Sequence, residues 1–100
     1  MFVVRFTMRA KADRAGELES ALRAVVVPSR AVPGVLGFDI AKDVTDATRF
    51  IATEVFEDRV ALEHQEELPQ VKRVLELLPD CLSADPEATI YDVASSAPWG

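Results

Sequence analysis

The first eleven residues alternate between apolar and other side chains, as the residues of a β-strand do. One face of this segment carries the apolar residues Phe2, Val4, Phe6 and Met8. Arg5 and Arg9 fall on the opposite face. The alternation therefore predicts a strand over residues 2–11 that buries one of its faces.

A helical pattern follows the first strand. Its apolar residues recur three and four positions apart, at Leu18, Ala21, Leu22 and Val25. Asp13 is a suitable N-cap for this helix. Pro28 is expected to end it, because a proline disfavours helical angles at the residue before it. Pro33 and Gly34 then predict a turn.

The rest of the chain repeats these two patterns. The predicted elements are a strand over 35–43, a strand over 48–57, a helix over 58–67, a helix over 69–79 and a strand over 89–93. Asp58 can cap the first of these helices, and Pro69 suits the first turn of the second. Pro79 is expected to end the second helix. For the last strand, a start as early as Leu82 stays open.

The order of elements is β-α-β-β-α-β, which is typical of the ferredoxin-like α+β fold. This fold has a four-stranded antiparallel sheet with helices on one face. Both faces of the predicted strands nevertheless carry apolar residues, and the outer ones are Val3, Ile51, Val55, Tyr91 and Val93. An exposed apolar face of this size needs a cover. We therefore expect one domain over 1–93 that forms a homodimer through its sheet faces, with a flexible tail over 94–100.

Composition and charge narrow the classes of partner. The chain has 100 residues, of which 49% are hydrophobic, and a formal net charge of −6. This acidity argues against nucleic acid and against anionic membranes. The single histidine and single cysteine, His64 and Cys81, argue against a multi-histidine metal site and an internal disulfide. With no apolar run of membrane-spanning length and no signal peptide, we expect a cytoplasmic protein whose partner is a small organic ligand or another protein.

A family resemblance lies mainly in the third predicted strand and the helix after it. Residues 49–58 read Arg-Phe-Ile-Ala-Thr-Glu-Val-Phe-Glu-Asp, and Ala61-Leu62-Glu63 follow shortly after. This pattern resembles the antibiotic biosynthesis monooxygenase domain, with similarity over roughly Met1 to Val93. The resemblance implies a dimeric α+β barrel. Members of this family include cofactor-independent monooxygenases acting on polyketide quinols, quinol monooxygenases and haem-degrading enzymes.

The chain departs from the family pattern at several informative positions. Quinone-forming members carry an asparagine where this chain has Thr48, and a tryptophan where it has Phe56, which lacks the indole N–H donor. Histidines of the following helices correspond to Gln65 and Gln70, whereas His64 lies one position, or about 100° of helix rotation, away. The haem-degrading activity, which the resemblance ties to these residue types, is therefore disfavoured. We expect no cofactor and no metal.

Glu54 and His64 are the candidate catalytic residues. Glu54 shares a strand face with apolar neighbours, so its carboxylate must be paired, protonated or exposed to a wet cavity. It is either a general base or hydrogen-bond anchor for a phenolic ligand, or one partner in a salt bridge or hydrogen bond that joins the sheet to a helix. His64 is either a proton shuttle or an exposed residue of an acidic stretch.

The candidate substrate-binding residues are Phe6, Phe38, Thr48, Phe50 and Phe56. The aromatic ones could line a cavity for a flat ligand or simply fill a packed core. We expect a monooxygenase that oxidises a small phenolic or hydroquinone substrate with dioxygen. The alternatives are a non-catalytic dimeric module that binds a hydrophobic metabolite or a partner protein, and an isomerase or dehydratase of the same fold.

Overall fold

The structure, a computed structural model, describes all 100 residues and contains four strands and three helices. In chain order these are β1 (Phe2–Arg9), α1 (Ala15–Arg30), β2 (Val35–Asp43), β3 (Asp46–Phe56), α2 (Arg59–Glu66), α3 (Pro69–Cys81) and β4 (Glu87–Asp92). None of the three helices combines the length and the hydropathy needed to cross a membrane.

The four strands form one antiparallel sheet in the order β2-β3-β1-β4. This confirms the ferredoxin-like α+β fold. Strands β3 and β1 occupy the centre, and Glu54 of β3 lies between Val4 of β1 and Phe38 of β2. Because side chains alternate along a strand, the register fixes Glu54 on the same face as these apolar neighbours. The helices cover that face, so an acidic side chain points into the space beneath them.

The core has two parts that flank this space. The larger one joins α1, α3 and the sheet through a set of buried residues that includes Leu18, Leu22, Phe50, Leu78 and Cys81. The smaller one joins Phe56 to Ala61 and Leu62 of α2. Both clusters bury the apolar face of a helix against the sheet, which is the main stabilising contribution in a domain of this size.

Two helices continue through the prolines that were expected to end them. Pro28 and Pro79 lie inside α1 and α3. In α1 the extra residues gain anchors, because Ser29 is fully buried and Arg30 Nε donates to the Phe38 carbonyl at 2.9 Å. In α3 the last residue, Cys81, is fully buried. Tertiary contacts therefore outweigh the lost backbone hydrogen bond at each proline.

The helix starts follow the sequence signals only in part. Asp58 caps α2 as predicted, since its Oδ1 accepts a hydrogen bond from the Ala61 N–H at 2.9 Å. Pro69 occupies the first turn of α3, also as predicted. At α1 the prediction was wrong: the N-cap is Arg14, without a side-chain cap, and not Asp13.

The edge strand β4 is the least covered part of the sheet. It starts at Glu87, two residues earlier than the strand predicted over 89–93, and pairs with β1 alone. All six of its residues are exposed, including Ile90 on the helix side of the sheet. The helices therefore leave an opening along this edge.

Candidate functional site

A cavity of about 430 Å³ lies between the inner face of the sheet and the helices. Its volume falls in the range of ordinary small-molecule sites. Of its 19 lining residues 15 are hydrophobic, and they include Val4, Phe6, Phe38, Val74, Leu78 and Ile90. Leu75 and Ile90 are also about half exposed, so the mouth of the cavity lies between α3 and β4. Such a lining fits a ligand with a largely apolar body.

The four polar residues of the lining come from three elements. They are Glu54 of β3, Gln65 and Glu66 of α2, and Lys72 of α3. Gln65 is 3% exposed, and its Nε2 donates to Ser29 Oγ of α1 at 3.0 Å. That bond fixes the last turn of α2 against α1, so Gln65 and Glu66 keep their place beside the cavity.

Glu54 differs from the other acids because it is unpaired inside an apolar cavity, and it is the one side-chain carboxyl group whose pKa is raised. Its carboxylate forms neither a hydrogen bond nor an ion pair with the protein, whereas Glu19, Asp39, Asp43 and Asp46 each pair with a cation. Burial in the apolar cavity, and secondarily the charge of Glu66, raises the pKa of Glu54 to about 7. Of the two interpretations of this residue, the structural ion pair is thus not formed. A carboxyl group that exchanges its proton near neutral pH is suited to acid–base chemistry.

The phenylalanines predicted to bind substrate separate into two groups. Phe6 and Phe38 line the cavity. Phe56 is 0% exposed and packs in the smaller core, while Phe50 borders a separate groove between α1 and β2. All four lie on the helix side of the sheet, but they occupy different positions along the strands. Only Phe6 and Phe38 face the open space.

Thr48 and His64 also lie away from the cavity. Thr48 is six residues from Glu54 along β3, about 20 Å in an extended strand. Its hydroxyl donates to Asp46 Oδ1 at 2.7 Å in the hairpin turn. His64 is exposed on α2, where the neighbouring Gln65 turns inward in its place. Neither residue belongs to the site described here.

Sequence reasoning missed the contributions of Gln65, Glu66 and Lys72 to the site. A signal for the first two exists, because Leu62, Gln65 and Glu66 are spaced three and four positions apart and so share one helix face. Gln65 also stood at a position where the family carries histidine. For Lys72 the sequence offers no such signal, since only the packing of α3 over the sheet turns it toward the cavity.

The fold and the cavity define a class: a ferredoxin-like domain that holds a ligand-sized apolar space under its helices, with a carboxylate inside. Comparison with known proteins then identifies the family. Residues 1–77 match the family model described as antibiotic biosynthesis monooxygenase. The chain belongs to this family.

Individual relatives support the fold over nearly the whole chain. A solved structure from Nitrosomonas europaea, assigned to the same monooxygenase class, is 23% identical with a TM-score of 0.87, over 95% of this chain and 100% of that one. The structure of PA3566 from Pseudomonas aeruginosa is 30% identical with a TM-score of 0.83, over 93% and 94%. Uncharacterized protein sll1783 from Synechocystis sp. is 29% identical over 94 residues. The chain spans 64% of the length of that curated relative.

Proposed function

We propose that this protein is a cofactor-independent monooxygenase that oxidises a small phenolic or hydroquinone-type aromatic substrate with dioxygen. The observation that carries the proposal is Glu54, an unpaired carboxyl group with a pKa near 7 inside an apolar cavity of ligand size. Membership of the monooxygenase family supports the reaction class. The cavity supports the substrate class, because its apolar lining suits a ring and its carboxylate suits a phenolic hydroxyl.

In the proposed reaction Glu54 accepts the proton of the phenolic hydroxyl. The phenolate transfers one electron to dioxygen, and the two radicals combine to form a C–O bond at a hydrogen-bearing ring carbon ortho or para to the oxygen. The proton on that carbon passes to the outer peroxide oxygen. The electron pair of the C–H bond forms the new carbonyl as the O–O bond breaks and releases hydroxide. Glu54 returns its proton to the departing hydroxide, so that phenol and dioxygen give quinone and water. The substrate supplies all the electrons, and the reaction needs no external reductant.

The apolar walls have a separate role in this proposal. Phe6 and Phe38 border the cavity on the sheet side and provide aromatic contacts for a ring. A water-poor environment also protects a reactive peroxy intermediate from side reactions. Substrate enters, in this proposal, through the opening between α3 and β4.

The experiment compares oxygen uptake by wild type, Glu54→Gln and Glu57→Gln with 1,4-naphthohydroquinone and 1-naphthol as probes, in air and under nitrogen. Glu57 is exposed and outside the cavity, so its variant is a matched control. We expect Glu54→Gln to lower kcat/KM by roughly a hundredfold or more, as loss of a general base does. Enzyme-catalysed product formation at an unchanged rate in Glu54→Gln contradicts the role of Glu54. Absence of any oxygen-dependent product contradicts the reaction.

A second candidate is a non-catalytic module that binds a small hydrophobic metabolite. Two positions favour this function. Quinone-forming members carry asparagine and tryptophan there, whereas this chain has Thr48 and Phe56, and neither residue reaches the cavity. This function predicts tight binding of an aromatic probe, measured by quenching of the probe's fluorescence, with no oxygen-dependent product. Turnover of the bound probe contradicts it.

We further propose that the protein is a homodimer joined through the outer faces of its sheets. Val55, Val3 and Tyr91 lie side by side across β3, β1 and β4 on the face without helices, and Tyr91 is 51% exposed. An apolar strip of this kind is typical of an interface. Light scattering should give a dimer mass for wild type and for Val44→Glu, a turn residue, and a monomer mass for Val55→Glu. A monomeric wild type contradicts the proposal.

A further inference from the structure

The cavity contains three ionisable side chains, and each comes from a different element. Glu54 belongs to β3, Glu66 to α2 and Lys72 to α3. The lining residues contributed by β1, β2, β4 and α1 are all apolar. The other two ionisable groups of the cavity lining are therefore the ones on the helices, Glu66 and Lys72.

Glu66 is held beside the cavity by its neighbours on α2. Leu62 and Gln65 are 4% and 3% exposed, and they fix the inward face of the helix. The bond from Gln65 to Ser29 fixes its rotation. Glu66 follows Gln65 directly and is the last residue of α2, where the partial negative charge of the helix end also lies. The carboxyl groups of Glu54 and Glu66 thus border the same apolar space.

We propose that Glu66 is a second functional carboxylate of this cavity, a positioning residue that governs the proton on Glu54 and so the strength of the catalytic base. The inference rests on the proposed role of Glu54 as a base. It goes further because it gives Glu66, an exposed residue that touches no reacting atom, a role of its own. Glu66 controls the pH at which the base becomes available.

The electrostatics support this assignment. Burial is the larger cause of the raised pKa of Glu54, and the charge of Glu66 is the second cause. Lys72 lines the same cavity but forms no ion pair with Glu54. A base is most effective when its pKa lies near the working pH, and a like charge nearby raises the pKa toward that value. Without Glu66, Glu54 would lose its proton more readily and would be a weaker base.

The test is a carboxyl ¹³C NMR titration of Glu54 in the full-length protein, with no substrate present. The variants are Glu66→Gln, which keeps the shape and removes the charge, and Glu67→Gln. Glu67 is the next residue, exposed and outside the cavity lining, and is therefore a matched control. We expect the titration midpoint of Glu54 to move to lower pH in Glu66→Gln and to stay within about 0.2 pH units of wild type in Glu67→Gln.

A pH–rate profile provides the second readout. Since Glu54 acts as a base only when it has lost its proton, kcat/KM should rise with pH through the Glu54 midpoint. That limb should move to lower pH in Glu66→Gln by the same amount as the NMR midpoint.

An unchanged midpoint in Glu66→Gln, or an equal shift in Glu67→Gln, overturns the inference. The titration does not depend on turnover. A shifted midpoint in a protein that oxidises nothing would refute the proposed reaction and leave the control of Glu54 by Glu66 intact. Turnover that needs Glu54, with an unshifted midpoint, would refute the inference alone.

Discussion

Replacing Glu54 by glutamine should change the pH dependence of stability in a direction that the structure fixes. Burial, with the charge of Glu66, raises the pKa of Glu54 from 4.5 to about 7 in the folded protein. The folded state therefore binds this proton more tightly than the unfolded state does. The resulting stability is fully present below pH 4.5 and is lost as the pH rises through 7. Over that window the loss amounts to about 3 kcal/mol, since one pKa unit corresponds to 1.36 kcal/mol.

Glutamine has nearly the shape of a protonated glutamate and does not ionise. The free energy of unfolding of Glu54→Gln should consequently increase relative to wild type by about 2.5 kcal/mol between pH 5 and pH 8. Urea unfolding at fixed protein concentration, followed by circular dichroism at four pH values in that range, measures this difference. Glu57→Gln is the control and should follow wild type. A Glu54→Gln difference that stays constant with pH would refute the reasoning, because it would mean that Glu54 ionises as easily in the folded state as in the unfolded one.

Three further substitutions test the contacts that place α2 and its polar residues, each by the same urea unfolding. Gly34→Ala should destabilise by roughly 2 to 4 kcal/mol, because Gly34 has a φ of +87° and an added Cβ would lie 2.8 Å from the Ala61 Cβ; a neutral result would contradict that crowding. Asp58→Ala should lose about 1 kcal/mol with the N-cap, and no loss would mean that the cap contributes nothing. Ser29→Ala should cost about 1 to 3 kcal/mol by leaving the buried Gln65 amide without its acceptor, and an unchanged midpoint would show that water replaces the hydroxyl.

The fold was predictable because its signals are local. Strict alternation over residues 2–9 and around Glu54 fixed the strands and the face that each side chain occupies. Asp58 and Pro69 marked the helix starts through capping chemistry that needs no knowledge of the rest of the chain. The predicted helix ends were wrong for the opposite reason. Whether a helix continues past Pro28 depends on the distant Phe38 carbonyl, which only tertiary structure brings within reach of Arg30.

The candidate site was predictable only where it lies on a strand. The alternation of β3 was sufficient to assign Glu54 to the inner face, and that of β1 and β2 to assign Phe6 and Phe38. The same alternation could not show that Phe50 and Phe56 belong to packed clusters. Whether space beneath a helix is filled or open depends on how far the helix lies from the sheet, which no local pattern encodes.

The balance of stability and chemistry at Glu54 gives a reason to regard the cavity as functional. Leaving this carboxyl unpaired destabilises the ionised protein by about 3 kcal/mol, a large part of the stability of a domain this size. A partner on α2 or α3 would remove most of that loss. Instead α2 brings Glu66, a second negative charge, to the same space, and Lys72 of α3 forms no ion pair with Glu54. The added negative charge and the missing ion pair both oppose folding, and both favour a base that works near neutral pH.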